Sequence, residues 1–181
     1  MKKINFIFFV ILFSCSEVSY GQLALTKLLG KDSDHYKLGI GLFLDFAVSI
    51  SEGDALTFEA GANLFQDKND PKYGTDNIPL KVGYRYTLNR KGKGFYIEPS
   101  LGYNVFGVSS YSGVDMYGYP TTVDKYFKGI IISPGIGYIF SLLKTNFNLK
   151  GYYETNIVKG GNISYAGAKI SHTFSFKKRN S

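Results

Sequence analysis

A single cysteine, two histidines and no tryptophan occur in this chain. No apolar run in it reaches the roughly 20 residues that a helix needs to cross a bilayer. The longest such run, Ile4–Phe13, is too short to span. One cysteine excludes an intrachain disulfide, and loss of Cys15 would remove every thiolate metal ligand as well. Basic residues outnumber acidic ones, with a formal net charge of +7, yet they form no stripe with interleaved stacking aromatics. Nucleic-acid binding is therefore a poor account of the charge. Arg90, Lys91, Lys93, Lys144, Lys177, Lys178 and Arg179 fall in short turns or the tail, whereas Asp32, Asp34, Asp67, Asp70, Asp76, Asp115 and Asp124 fall in longer connections.

The N-terminus reads as a secretion signal. Lys2 and Lys3 precede the apolar run, and Ser19-Tyr20-Gly21 offers small residues at the two positions a signal peptidase reads. The expected division is a signal peptide at 1–21, a folded domain at 22–176 and a short basic tail at 177–181. Loss of Lys2, Lys3 and Glu17 lowers the formal charge from +7 to +6. Leu12-Phe13-Ser14-Cys15 offers a competing reading as a lipid-attachment box, with Phe13 a poor fit at its position.

What the chain does have is alternation. Leu38, Ile40, Leu42, Leu44, Phe46, Val48 and Ile50 are separated by Gly39, Gly41, Phe43, Asp45, Ala47 and Ser49. Period-two patterning of this length means a β-strand with one apolar face. Six further segments repeat it: Leu56–Phe65, Ile78–Leu88, Phe95–Phe106, Phe127–Phe140, Asn146–Thr155 and about Ile163–Phe176. Short turns follow the first, third and fifth clear strands, and longer connections follow the second, fourth and sixth. Gln66–Asn77 and the Tyr/Ser/Gly-rich Gly107–Tyr126 are expected as loops. Closure with both ends on the short-turn side requires an even count, so Gln22–Leu29 is taken as the first of eight strands, a helix there being the alternative. The expected fold is all-β: an eight-stranded antiparallel up-and-down transmembrane barrel.

Aromatics mark both rims. Phe46, Phe58, Tyr84, Tyr86, Phe95, Tyr138, Phe140, Phe147, Phe174 and Phe176 fall toward the short turns; Tyr36, Tyr103, Phe106, Phe127, Tyr153 and Tyr165 fall toward the loops. The less apolar face is mainly Gly, Ala, Ser, Thr and Asn with few charges, which suits a crowded interior better than a solvated exterior. By parity the inward charges are Asp45, Glu59, Glu98 and Glu154 against Lys81, Arg85, Lys150 and Lys169. The 89–94 turn sets Arg85 opposite Glu98. Four charges of each sign in a barrel only wide enough for side chains predict a plugged, ion-paired lumen with a structural role.

At these residues the chain resembles the small bacterial outer-membrane β-barrel family, similar to OmpA-type transmembrane domains and OmpX among the porin-family barrel domains. The resemblance covers about residues 22–176 and includes Gly94-Phe95-Tyr96-Ile97-Glu98-Pro99-Ser100-Leu101-Gly102-Tyr103. Ile170-Ser171-His172-Thr173-Phe174-Ser175-Phe176 resembles the closing signal read by the barrel-assembly machinery, although Lys177–Ser181 follow it. The resemblance implies an outer-membrane location, outer-membrane lipids and the assembly machinery as partners, and a monomer. A wall-anchoring role is not carried over. A lipocalin-type soluble barrel fits less well, because the tryptophan that such a pattern usually carries near its first strand is missing.

No catalytic site is legible, and no cofactor or metal is expected. His172 lies near Ser171 and Ser175 but faces lipid by parity, and Phe174 stands where a deacylase-like barrel carries its second catalytic residue. His35 lies in the first loop. Asp67, Asn69, Asp70 and Asp76 do not follow the EF-hand spacing. Gly92–Gly94 is a hairpin turn with no helix after it, so it is no phosphate cradle. The most suggestive segment holds Tyr111, Tyr117, Tyr119 and Tyr126 among Ser and Gly, a composition that makes adaptable contact surface. The expected function is non-enzymatic: a structural or surface-interaction role exerted through external loops toward a surface or envelope protein. A narrow solute channel, a lipid A-modifying enzyme and a soluble periplasmic ligand-binding barrel are the alternatives.

Overall fold

The computed structural model describes residues 16–173 except 71–72, 90–91, 118–119, 143–144 and 160, with side chains described for these except 16–20, 31–32, 110–111, 120 and 173. Among the described residues the strands are β1 (Ser16–Leu29), β2 (Gly39–Ser51), β3 (Asp54–Gln66), β4 (Gly74–Thr87), β5 (Gly94–Val114), β6 (Pro120–Leu142), β7 (Thr145–Val158) and β8 (Gly161–Thr173). A 3-10 turn at Lys31–Asp34 links β1 and β2. Each strand pairs antiparallel with the next, and β8 returns to β1 to close the sheet. Closure removes every edge from the wall, so backbone N–H and C=O groups at membrane depth can pair within it.

Gln22–Leu29 is strand and not helix. The strand also extends upstream to Ser16, across the expected cleavage point. Pairing with both neighbours shifts just before Gln22, where Gly21 adopts φ 66°. Pairs run on both sides of that shift, from Ser16↔Val48 to Ser19↔Asp45 and again from Gln22↔Phe43. Cys15 and the rest of 1–15, together with Phe174, Phe176 and the 177–181 tail, lie outside the described residues.

Several connections are shorter than expected. β4 begins at Gly74, which reduces the Gln66–Asn77 loop to 67–73. β7 reaches Val158 and β8 begins at Gly161, so the long connection expected there is a tight turn. The largest correction concerns Gly107–Tyr126. It is not a loop: β5 and β6 continue as a hairpin, paired from Gly107↔Tyr126 to Val114↔Pro120, with a turn at Met116 and Tyr117. Tyr, Thr and Val favour strands, but above a bilayer no face must be aliphatic, so the period-two signal disappears.

Side-chain direction is inverted relative to a soluble protein. Ile40, Leu42 and Leu64 are 62–65% exposed, whereas Lys81, Lys150, Lys169 and Glu154 are at most 2% exposed. A soluble barrel places its apolar side chains inside; this wall places them outside, as a lipid-facing belt does. At the short-turn end an aromatic row crosses β5 to β8: Phe95–Tyr138, Tyr138–Phe140, Phe140–Phe147 and Phe147–His172, with ring centres 4.7, 6.3, 5.7 and 5.1 Å apart. The upper girdle needs correction. Phe106 and Tyr165 are buried inside, and Tyr36 and Phe127 pack against them. Tyr103 and Tyr153 do face outward. Strand parity runs unbroken to the rim and turns Phe106 and Tyr165 inward with Glu98 and Lys169.

Glycine makes room for the inward rings. A Cβ at Gly61 would collide with Phe43, and one at Gly137 with Tyr96.

Candidate functional site

The interior of the barrel is layered. At the short-turn end Tyr96 donates to Asn148 Oδ1 at 2.7 Å, and the Tyr96 ring centre lies 4.7 Å from Arg85 Cζ. Arg85 is a branch point: Nε donates to Glu98 Oε2 at 2.6 Å and Nη2 to Asp45 Oδ2 at 3.1 Å. The first of these is the cross-strand pair expected from the 89–94 turn. Gln22 Nε2 also donates to Asp45 Oδ2, at 2.9 Å.

The middle layer continues the same network. Glu98 accepts from Lys150, whose Nζ is 3.7 Å from Glu59 Oε2. Glu59 Oε1 lies 2.6 Å from Lys81 Nζ and accepts from Lys169 Nζ at 2.5 Å. Lys81 reaches Glu154, which also accepts from Ser133 Oγ at 3.0 Å. Lys169 Nζ sits 3.6 Å from the Phe43 ring centre and 4.3 Å from that of Tyr152. Asp45, Glu59, Lys81, Arg85, Glu98, Lys150, Glu154 and Lys169 thus form one chain of contacts, and all eight are buried. A charge taken from water costs several kcal/mol unless it is paired, and removing one partner of a buried pair typically costs about 3–5 kcal/mol.

An apolar cap covers this network on the loop side. Leu28, Phe65, Phe106, Ile131, Tyr152 and Tyr165 form a buried cluster. Polar tethers stitch it to the wall: Thr26 Oγ1 donates to Asn63 Oδ1 at 3.1 Å and lies 2.7 Å from Tyr152 Oη, while Asn77 Nδ2 donates to Tyr165 Oη at 2.5 Å. Of these cap residues only Phe106 and Tyr165 attract attention in the sequence, and both do so only as rim aromatics. Their inward parity is the signal that could have found them.

The other candidate region is the β5–β6 hairpin. β4 accompanies β5 only to Gly74↔Ser109, and β7 accompanies β6 only from Gly129↔Val158. Beyond those pairs each hairpin strand is bonded to its sister alone. Ser109 Oγ donates to Asp124 Oδ1 at 2.7 Å, and Ser112 and Thr121 hydroxyls lie 3.0 Å apart. Tyr117 is exposed at the tip, where its N–H donates to Asp115 Oδ1 at 2.8 Å. Tyr126 is exposed on β6, and Tyr111 lies on β5 opposite Thr122. Tyr119 lies outside the described residues. Tyr111, Tyr117 and Tyr126 are therefore features of a hairpin and not of a long loop.

The remaining candidates stay apart from one another. His172 faces outward, edge-on to Phe147, while Ser171 is buried on the opposite face. Ser175 lies outside the described residues. His35 is exposed and its backbone carbonyl accepts from Lys68 N–H at 2.8 Å. Asp67 Oδ1 accepts from the N–H groups of Asn69 and Asp70 at 2.7 and 3.3 Å, which closes a local turn. Among the described residues no cluster of His, Cys, Asp and Glu could hold a metal ion.

No family model and no curated protein matches the chain. Solved structures do. The N-terminal β-barrel domain of Pseudomonas aeruginosa OprF aligns with a TM-score of 0.61 at 12% identity, over 88% of this chain and 98% of that one. Ail, the attachment invasion locus protein of Yersinia pestis, aligns with a TM-score of 0.62 at 11% identity, over 88% and 97%. Neisserial surface protein A aligns with a TM-score of 0.57 at 14% identity, over 89% and 97%. The fold is that of the small outer-membrane β-barrels. Ail has also been solved in complex with the heparin analogue sucrose octasulfate.

Proposed function

We propose that this chain is an integral outer-membrane protein with a plugged, ion-paired lumen and a β5–β6 hairpin that contacts a surface or envelope partner. The outward aliphatic belt and the fold support the membrane location. The observation that carries the functional reading is the hairpin itself, which rises past both neighbouring strands and presents Tyr117 and Tyr126 to solvent. Rigid barrels commonly carry function on such projections. Sulfated polyanions are a weak match for this hairpin, because Asp115 and Asp124 accompany Lys125 and Lys128 on it.

A filled lumen gives solute no path, and the contacts of Glu59, Lys81 and Lys169 leave the middle layer without a mobile charge. Catalysis is not part of the proposal. Biogenesis through the barrel-assembly machinery and a monomeric state in outer-membrane lipid complete it. Replacement of residues 108–125 by a short Gly/Ser link is the test. Binding of intact cells to candidate surface ligands should be lost, while the heat-shifted gel band of the folded barrel persists. Unchanged binding would refute the assignment to the hairpin.

A further inference from the structure

Strand β1 is longer than cleavage after Gly21 would leave it. Such a cut keeps only Gln22–Leu29, eight of the fourteen residues of Ser16–Leu29. A strand tilted by about 45° needs about 9–11 residues to cross the hydrocarbon. β2, β3 and β8 have 13 residues, and β4 and β7 have 14. Among the described strands the shortened β1 alone would be too short to span.

The upstream residues are also built into the wall. Ser16, Glu17, Val18 and Ser19 pair with Val48, Ala47, Phe46 and Asp45 of β2, and Ser19 and Tyr20 pair with Thr173 and His172 of β8. Cleavage after Gly21 would strip both neighbours of these partners and notch the closed sheet at its short-turn end. Unpaired backbone groups at membrane depth are costly, which is why spanning sheets close. The aromatic row through Phe95, Tyr138, Phe140, Phe147 and His172 marks the interface there, and the register sets Tyr20 next in line, opposite His172.

Gly21 has its own reason to be small. Its φ of 66° lies in the left-handed region, and the pairing with both neighbours shifts around it. This is a bulge inside a continuing strand, a position that suits glycine and strains a residue with a Cβ. The small residue that reads in the sequence as a peptidase signal is thus accounted for by the wall.

We propose that the leader is removed upstream of Ser16, so that Ser16–Gly21 stay on the mature chain as the short-turn end of β1. Ser19-Tyr20-Gly21 is then a bulged stretch of strand and not a cleavage site. The inference rests on the outer-membrane reading above, which sets the length a strand must have.

The test is the N-terminus of the intact protein purified from outer membranes, read by top-down mass spectrometry. The first residue should be Ser16 or one a few positions before it, and a lipid-bearing Cys15 terminus meets that expectation as a free one does. A first residue after Ser16, Gln22 above all, or a chain that retains Lys2 and Lys3 would overturn the proposal. Proline gives a second reading, because it cannot donate to the ladder and would be discarded if the cut followed Gly21. In the full chain, Glu17→Pro with Val18→Pro should lower the heat-shifted fraction several-fold, whereas Glu17→Thr with Val18→Thr should leave it unchanged. No loss with the proline pair, or an equal loss with both pairs, would overturn the assignment of these residues to the wall. A wild type found in the soluble periplasm would instead overturn the membrane reading, and the span argument with it.

Discussion

The lumen and the hairpin lie at opposite extremes of burial and charge pairing. Inside, each of eight charged side chains touches an opposite charge, and an apolar cluster covers them. Outside, the two longest strands leave their neighbours behind and present unaccompanied edges and exposed tyrosines. A region whose charges are paired beneath an apolar cover has little to offer a charged ligand, even though the inward Asn104 amide makes no side-chain hydrogen bond. A region left open retains that capacity at the cost of local stability. The difference locates stability in the lumen and underlies the proposal that recognition belongs to the hairpin.

Glu59 offers the hardest blow to the lumen. It meets Lys81 and Lys169 and lies near Lys150, so Glu59→Leu leaves two buried ammonium groups short of a partner. We expect a loss of about 3–5 kcal/mol, read from urea unfolding of the folded barrel in lipid vesicles. In the cap, Ile131→Ala removes a fully buried side chain and should cost about 2–4 kcal/mol in the same assay. Tyr96→Phe removes one hydrogen bond to Asn148 and should cost about 1 kcal/mol. Excision of residues 110–125 should change stability by under about 0.5 kcal/mol, because beyond Gly74↔Ser109 and Gly129↔Val158 the hairpin strands pair only with each other. A large loss on that excision would dissolve the contrast between the two regions. His172→Ala should leave the lipid A mass profile of the cell unchanged, since its neighbour on the outer face is the Phe147 ring.

Much of the fold was legible because period two is a strict code. Once Leu38–Ile50 set which face is apolar, the inward position of Asp45 followed, and the same parity turned Glu59, Lys81, Arg85, Glu98, Lys150, Glu154 and Lys169 inward. Parity gives direction but not environment. Phe106 and Tyr165 carried the same inward signal, yet an aromatic near a rim reads more readily as part of a girdle. Leu28 and Ile131 escaped notice because an apolar residue on the inner face resembles its outward neighbours. The hairpin was hidden for another reason: Ser109–Tyr126 lies above any hydrocarbon, so nothing forces alternation there.

The claim that the lumen is closed and the hairpin is the working surface is tested most directly by conductance. Pure folded protein incorporated into planar bilayers should give no stable ohmic step across a wide voltage range. A reproducible unit conductance, altered in selectivity by Lys81→Met or Glu154→Gln, would show that the ion-paired middle layer admits solute and that the lumen, not the hairpin, carries the function.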